Sequence, residues 1–217
     1  MSVSPDGTIY VGMLDHIEVF DSAGKQVSSW ASLGEKAYLT SISANSNEIW
    51  AGDAGNRVVY KYSPSGQIVA LFGKKDSATG APGIIVPSPH LDVESAGDGG
   101  VWVANPGRHE LELYAADGKL TRTWGKNSFT IDGFSGCCNP TDFALLPGGK
   151  FATSEKGIPR VKIYAADGKF EGVVAGFETF KPEVVGLDLA ADAQGHIYVM
   201  DPASKSVRVY IAKGNTK

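Results

Sequence analysis

Apolar and polar residues alternate along this chain in short runs, and the runs are separated by Gly, Asn, Asp and Pro. The clearest case surrounds Tyr114-Ala115-Ala116-Asp117-Gly118-Lys119, which returns letter for letter as Tyr164-Ala165-Ala166-Asp167-Gly168-Lys169. Leu111 and Leu113 precede the first copy, and Val161 and Ile163 the second. A further apolar run follows each, Leu120 to Trp124 and Phe170 to Val174. This spells strand, tight turn, strand, with the Asp-Gly pair supplying the left-handed turn residue. A hairpin repeated in this way is the signature of stacked units.

The third strand of each unit ends on an aromatic: Phe20, Tyr62, Tyr114, Tyr164 and Tyr210. The strand before it has an aromatic of its own: Tyr10, Trp50, Trp102, Phe151 and Tyr198. A turn comes before that strand, at Asp6-Gly7, Asn45-Ser46-Asn47, Gly97 to Gly100, Pro147-Gly148-Gly149 and Gln194-Gly195. One more alternating run leads into the turn: Leu39 to Ala44, Leu91 to Ala96, Phe143 to Leu146 and Val185 to Ala190, with only Met1 to Ser4 in the first unit. The unit therefore has four strands, a, b, c and d, and the spacing predicts blades at about 1–33, 39–73, 91–125, 142–175 and 185–217. No helical periodicity interrupts them. Four-stranded units of roughly 40 to 50 residues mean an all-β propeller of antiparallel blades, here one domain over 1–217 with five blades visible.

The pattern resembles the NHL-repeat family of six-bladed, TolB-like β-propellers. The resemblance rests on Asp6-Gly7-Thr8-Ile9-Tyr10-Val11, on Gly195-His196-Ile197-Tyr198-Val199, and on Asp53, Asn56, Arg57 and Val58 followed by an aromatic, a polar turn and Gly. The WD40 dipeptide is absent, which places WD40 second and a β-sandwich third. The first unit has only a short strand a, and the polar tail Ala212 to Lys217 is too short for a strand d. The count is thus 19 strands, and a six-bladed relative has one blade more. The expectation is an incomplete six-bladed propeller whose N-terminal blade is missing.

Composition narrows the function classes. A net charge of −4 offers no basic surplus for a nucleic-acid backbone or an anionic membrane. No apolar run approaches the length of a membrane span. The N-terminus lacks the charged start and apolar core of a signal peptide. The compartment is extracytoplasmic (periplasmic or secreted) if an upstream segment carried such a signal, and cytoplasmic otherwise.

Candidate chemistry gathers on the d-to-a connections Lys74 to His90, Lys126 to Thr141 and Gly176 to Val184, and on the b-to-c turns. In a propeller these emerge at the same end, around the channel mouth. The candidate ligand-binding residues there are His90, Arg108, Cys137, Cys138, Lys156 and Arg160, with Lys74 and Lys75 adding positive charge for an anionic ligand. Cys137 and Cys138 are adjacent. Neighbouring Cα atoms lie about 3.8 Å apart across a trans peptide, whereas a relaxed disulfide wants roughly 4.4–6.8 Å. A bridge between them would be strained and easily reduced. The pair reads as a redox switch or a soft-metal site, with His90 as a further metal candidate, or more plainly as a packed thiol and a turn residue before Pro140.

The resemblance implies what to look for beyond this. NHL-type amidating lyases bind zinc through strand-a histidines of several blades, but only His90 is present here, and catalytic zinc needs three protein ligands. Lactonase-like propellers hold calcium with channel-lining acids and amides, for which Asp92, Asp142 and Asp188 are the strand-a acids. No catalytic set is recognisable, and the sequence leaves open whether there is a cofactor. The leading reading is a non-enzymatic binding or scaffold propeller presenting one face to a protein, peptide or small anionic ligand. The alternatives are a metal-dependent lyase or lactonase-like enzyme, and a thiol redox or soft-metal protein.

Overall fold

The computed structural model describes residues 1–76, 82–181 and 183–212. Part of the Lys74 to His90 connection and most of the C-terminal tail lie outside the described residues. The chain is all-β, with antiparallel blades in a propeller arrangement. Blade 1 is β1 (Ser2–Val3), β2 (Ile9–Gly12), β3 (Ile17–Phe20) and β4 (Gln26–Ser29). Blade 2 is β5 (Leu39–Ala44), β6 (Ile49–Asp53), β7 (Val58–Tyr62) and β8 (Ile68–Phe72). Blade 3 is β9 (Val93–Ser95), β10 (Val101–Asn105), β11 (Glu110–Tyr114) and β12 (Leu120–Trp124). Blade 4 is β13 (Asp142–Leu146), β14 (Lys150–Glu155), β15 (Arg160–Tyr164) and β16 (Phe170–Ala175), and blade 5 is β17 (Asp188–Ala191), β18 (Ile197–Asp201) and β19 (Ser206–Tyr210).

Every strand c ends on its expected aromatic, and blade 5 has three strands among the described residues. Two single 3-10 turns, Pro147–Gly149 and Phe177–Thr179, are the helical content of the described residues. The repeated hairpin turns through Gly118 and Gly168 at φ of 82° and 83°, the left-handed conformation that glycine adopts without strain. Asp117 and Asp167 close these turns by accepting the N–H of Lys119 and Lys169. Strands β9 and β17 begin later than the apolar runs beneath them. Thr40 Oγ1 donates to the Leu91 carbonyl (2.7 Å) and Ser154 Oγ to that of Leu187 (2.8 Å), so side chains of the preceding blade satisfy these carbonyls.

Two compact units emerge from the contacts, one comprising Met1–Gly107 with Leu111–Thr123 and the other Arg108–Glu110 with Trp124–Lys217. In both, the core lies between blades. In the first unit Tyr10, Ile17 and Trp30 pack with Ile42, Ile49 and Tyr62, while Trp50, Val59 and Phe72 pack with Val93, Val101 and Tyr114. In the second unit Ala152, Val161 and Ala175 pack with Leu187, Ile197 and Val199.

Two devices join neighbouring blades. The first acts on strand a, whose free edge would leave backbone N–H groups unpaired. The N–H of Ala44 donates to Ser2 Oγ (3.0 Å), that of Val93 to Ser41 Oγ (3.2 Å) and that of Ser95 to Ser43 Oγ (3.0 Å). In the second unit the N–H of Leu189 donates to Asp142 Oδ1 (2.8 Å). The second device is aromatic. Trp30 and Phe72, at the outer ends of their blades, lie 4.9 and 6.4 Å from Tyr62 and Tyr114. Trp124 lies 4.9 Å from both Phe151 and Tyr164, and a Cβ at Gly168 would meet it at 2.7 Å.

Trp124 is 8% exposed within this cluster. Trp124→Ala is therefore expected to lower unfolding free energy by about 3–5 kcal/mol in urea titration. A loss below about 1 kcal/mol would mean that the aromatic joint does not hold the blade.

Candidate functional site

The site is built on a slot that recurs at the end of strand b. Asp53, Asn105, Glu155 and Asp201 occupy it in blades 2 to 5, and all four are fully buried. Seven positions later, on strand c, stand Tyr60, Glu112, Lys162 and Arg208. Asn105 Nδ2 donates to Glu112 Oε1 (2.8 Å), Lys162 Nζ lies 2.7 Å from Glu155 Oε1, and Arg208 Nη2 lies 3.3 Å from Asp201 Oδ2. In blades 2 to 4 the slot residue also holds the irregular segment that leads into its own blade. Asp53 Oδ1 accepts the N–H of Tyr38 (2.9 Å), Asn105 Oδ1 that of Ile85 (3.1 Å), and Glu155 Oε2 that of Ser135 (3.0 Å). These segments cross so close to the b-to-c turns that a Cβ at Gly55 would lie 1.9 Å from the Lys36 carbonyl oxygen.

Blade 4 has the most elaborate version. Its connection folds on itself through a bridge between Asn127 and Phe134, with Phe134 N–H donating to the Lys126 carbonyl (2.9 Å). Lys126 Nζ pairs with Asp132 at 2.6 Å across the neck. The Phe134 ring is fully buried, and Lys162 Nζ stands 4.7 Å from its centroid while donating to the Gly133 carbonyl (2.7 Å). Blade 5 repeats this motif, with the Arg208 guanidinium 5.8 Å from the centroid of Phe180.

Beyond Phe134, Ser135 donates to Glu155 through both its N–H (3.0 Å) and its Oγ (3.3 Å). Asn139 then joins the connection to the b-to-c turn. Its Nδ2 donates to the carbonyls of Ser135 (2.6 Å) and Lys156 (3.0 Å), and its Oδ1 accepts the Lys156 N–H (2.9 Å). The Asn139–Pro140 peptide is cis. From the other side His109, itself buried at a φ of 62°, places Nε2 2.8 Å from the Gly136 carbonyl oxygen.

The charges below this loop are closed off from water. Arg160 Nε and Nη2 reach Glu155 at 2.7 and 3.1 Å, and Lys162 shares the same carboxylate. Burial opposes ionisation of Glu155, but the Arg160 hydrogen bond and the Lys162 charge outweigh it and hold the carboxyl below its ordinary value. Burial likewise pushes Lys162 down to about 8, against the pull of Glu155.

The sequence candidates therefore take different places. Arg160 is 7% exposed, and its guanidinium is engaged by Glu155 rather than turned toward a ligand. Lys156 and Arg108 are half-buried on the two b-to-c turns of the second unit that flank the loop. Cys137 is exposed and Cys138 buried, with their sulfurs 2.9 Å apart. A hydrogen bond to Cys138 raises the Cys137 thiol above its ordinary value. His90 belongs to the first unit, where it is half-buried beside Ser88. Among the described residues no three His, Cys, Asp or Glu side chains converge to hold a metal ion. Of the strand-a acids, Asp92 accepts from Ser41 (2.6 Å), Asp142 from the Leu189 N–H, and Asp188 is exposed.

Sequence reasoning missed Glu155, Lys162, His109 and Asn139. The seven-position spacing of polar residues from strand b to strand c would have found the first two. Nothing in the sequence marked His109 or Asn139. Another omission lies in the first unit. Glu94 accepts from Ser43 Oγ (2.9 Å), and burial together with the Asp92 charge pushes its carboxyl up to about 7.

No family model matches the chain, and no curated protein does. Solved structures do match in fold. A catalytically inactive virginiamycin B lyase from Staphylococcus aureus, crystallised with quinupristin, superposes with a TM-score of 0.65 at 15% identity over 97% of this chain. The hydrazine synthase of Kuenenia stuttgartiensis does so with a TM-score of 0.62 at 13% identity over 96% of this chain. The chain spans 64% of the length of each of those two chains. At such identities the likeness shows the propeller fold alone.

Removing Glu155 leaves Arg160 and Lys162 as uncompensated buried cations. Glu155→Ala is expected to cost about 3–5 kcal/mol in urea titration at neutral pH. Because the folded carboxyl titrates below its ordinary value of 4.5, its contribution is full above that pH and is lost as pH falls through the folded value. The variant should accordingly show a shallower acid transition than the parent.

For Glu94 the sign reverses. Between 4.5 and about 7 the folded chain keeps a proton that the unfolded chain has released. Stability should fall as pH rises across that window, and Glu94→Gln should flatten the slope. Equal urea midpoints at both ends of the window in the parent would refute the shift.

Proposed function

We propose that this chain is a non-enzymatic binding module of the NHL-type, six-bladed class. Its recognition surface in the second unit is the outer side of the 126–141 loop together with the flanking turns. The NHL-type reading is supported by where its motifs fall: Asp6 to Val11 runs from the first turn into β2, and Gly195 to Val199 from the last turn into β18.

One observation carries the binding reading. A buried ionic and amide frame, formed by Glu155, Arg160, Lys162 and Asn139, holds irregular backbone in place and leaves Gly136, Cys137, Gly157 and Ile158 exposed above it. Rigid support beneath a polar, irregular surface suits recognition, because little ordering entropy remains to be lost on binding. Lys156 and Arg108 give this surface its positive charge, which favours an acidic peptide or another small anionic ligand. The lyase reading has only fold likeness behind it. Stoichiometric zinc, calcium or copper in the purified protein would favour that reading instead.

The test is fluorescence anisotropy with a short polyglutamate peptide, against a polyglutamine peptide of the same length. The acidic peptide should bind more tightly, and added salt should weaken it. The double variant Lys156→Ala, Arg108→Ala should weaken it roughly tenfold, as expected for two partly screened ion pairs. Equal binding of the two peptides, or binding indifferent to the double variant, would overturn the proposal.

A further inference from the structure

The binding surface makes no use of its two thiols. Neither Cys137 nor Cys138 is in a disulfide, and one is exposed and the other 1% exposed, with their sulfurs 2.9 Å apart. The backbone that carries them is anchored on both flanks. Gly136 is held through its carbonyl by His109, and Asn139 by its paired bonds to Lys156 and its bond to Ser135. The two sulfurs are thus kept side by side, one facing solvent and the other directly behind it. A small packed thiol does not require this arrangement, since Cys138 alone fills the buried space while Cys137 faces water.

We propose that Cys137 and Cys138 form a two-electron thiol–disulfide exchange site, whose substrate is an external low-molecular-weight disulfide. Cys137 is the accessible attacking group. After it releases its proton to solvent, its thiolate attacks one sulfur of the external disulfide. The Cys137–sulfur bond forms, the external S–S bond breaks, and one external thiolate leaves and takes up a proton. Cys138 then loses its proton and attacks Cys137 Sγ, and the second external thiolate departs in the same way. Two protein thiols are oxidised to a vicinal disulfide while one external disulfide is reduced to two thiols. The geometry of adjacent residues makes such a bridge strained, and strained bridges are the readily reduced, reversible ones.

The experiment equilibrates the whole chain in buffers of glutathione and glutathione disulfide. Free thiols are then counted by maleimide labelling and the products identified by mass. The expected result is reversible loss of both thiols together, in a product lighter by two hydrogens, free of glutathione and cross-linked within the Cys137–Cys138 peptide. Cys138→Ser, which lacks the resolving sulfur, should accumulate a single glutathione on Cys137. Cys137→Ser should stay unmodified while folded, because the remaining thiol is buried. A parent chain that retains both thiols at every ratio would overturn the assignment. So would a stable glutathione adduct on the parent, or a disulfide formed between two chains. These outcomes are independent of peptide binding, so the two proposals can fail separately.

Discussion

A buried polar side chain at the end of strand b is the constraint from which the irregular parts of this protein follow. In blades 2 to 4 strand b turns into strand c while another segment crosses over that turn on its way into strand a. Backbone N–H groups in that crossing segment are shut off from water and need acceptors. Asp53, Asn105 and Glu155 supply them to Tyr38, Ile85 and Ser135. The slot is the same each time and its occupants differ, so each connection can vary in length and composition while its attachment point does not.

Burying such a group carries a desolvation cost that only a full set of partners offsets. Blade 3 meets it with a neutral amide against Glu112, whereas blade 4 uses a carboxylate shared by Arg160 and Lys162. The blade 4 solution buries two basic side chains against one carboxylate. The carbonyls of Ile131 and Gly133 and the faces of Phe134 and Tyr164 surround Lys162 Nζ. The loop that provides those carbonyls and Phe134 is therefore tied to the charge it covers. Arg208 over Phe180 in blade 5 is a lighter form of the same arrangement.

Regularity elsewhere is what leaves this loop available for function. Serine and aspartate side chains accept edge N–H groups of the strands a of blades 2, 3 and 5, and Trp30, Phe72 and Trp124 close the outer joints. With the blades joined by these repeated contacts, the stability of the scaffold does not rest on the exposed residues Gly136, Cys137 and Gly157. Such residues are free to differ from blade to blade, which is where binding and thiol chemistry can be placed.

Much of the architecture was legible in the sequence because it depends on local chemistry. The period-two alternation and the Asp-Gly turns are properties of neighbouring residues, so the strand ends at Phe20, Tyr62, Tyr114, Tyr164 and Tyr210 could be read directly. The adjacency of Cys137 and Cys138 was equally plain. Which charges face solvent was not legible, because burial is decided by residues far apart in the chain. Arg160 read as a ligand-binding candidate at the channel mouth, yet it lies under the loop, where Glu155, five positions earlier, turns inward to meet Ser135 twenty positions before it. His109 carried no mark in the sequence, and only the fold brought the Gly136 carbonyl within 2.8 Å of its ring. Strand and turn were thus determined by the sequence itself, whereas the partners of each buried charge were decided only when the connecting loops packed over the turns, because a charge's environment is set by everything that excludes water from it.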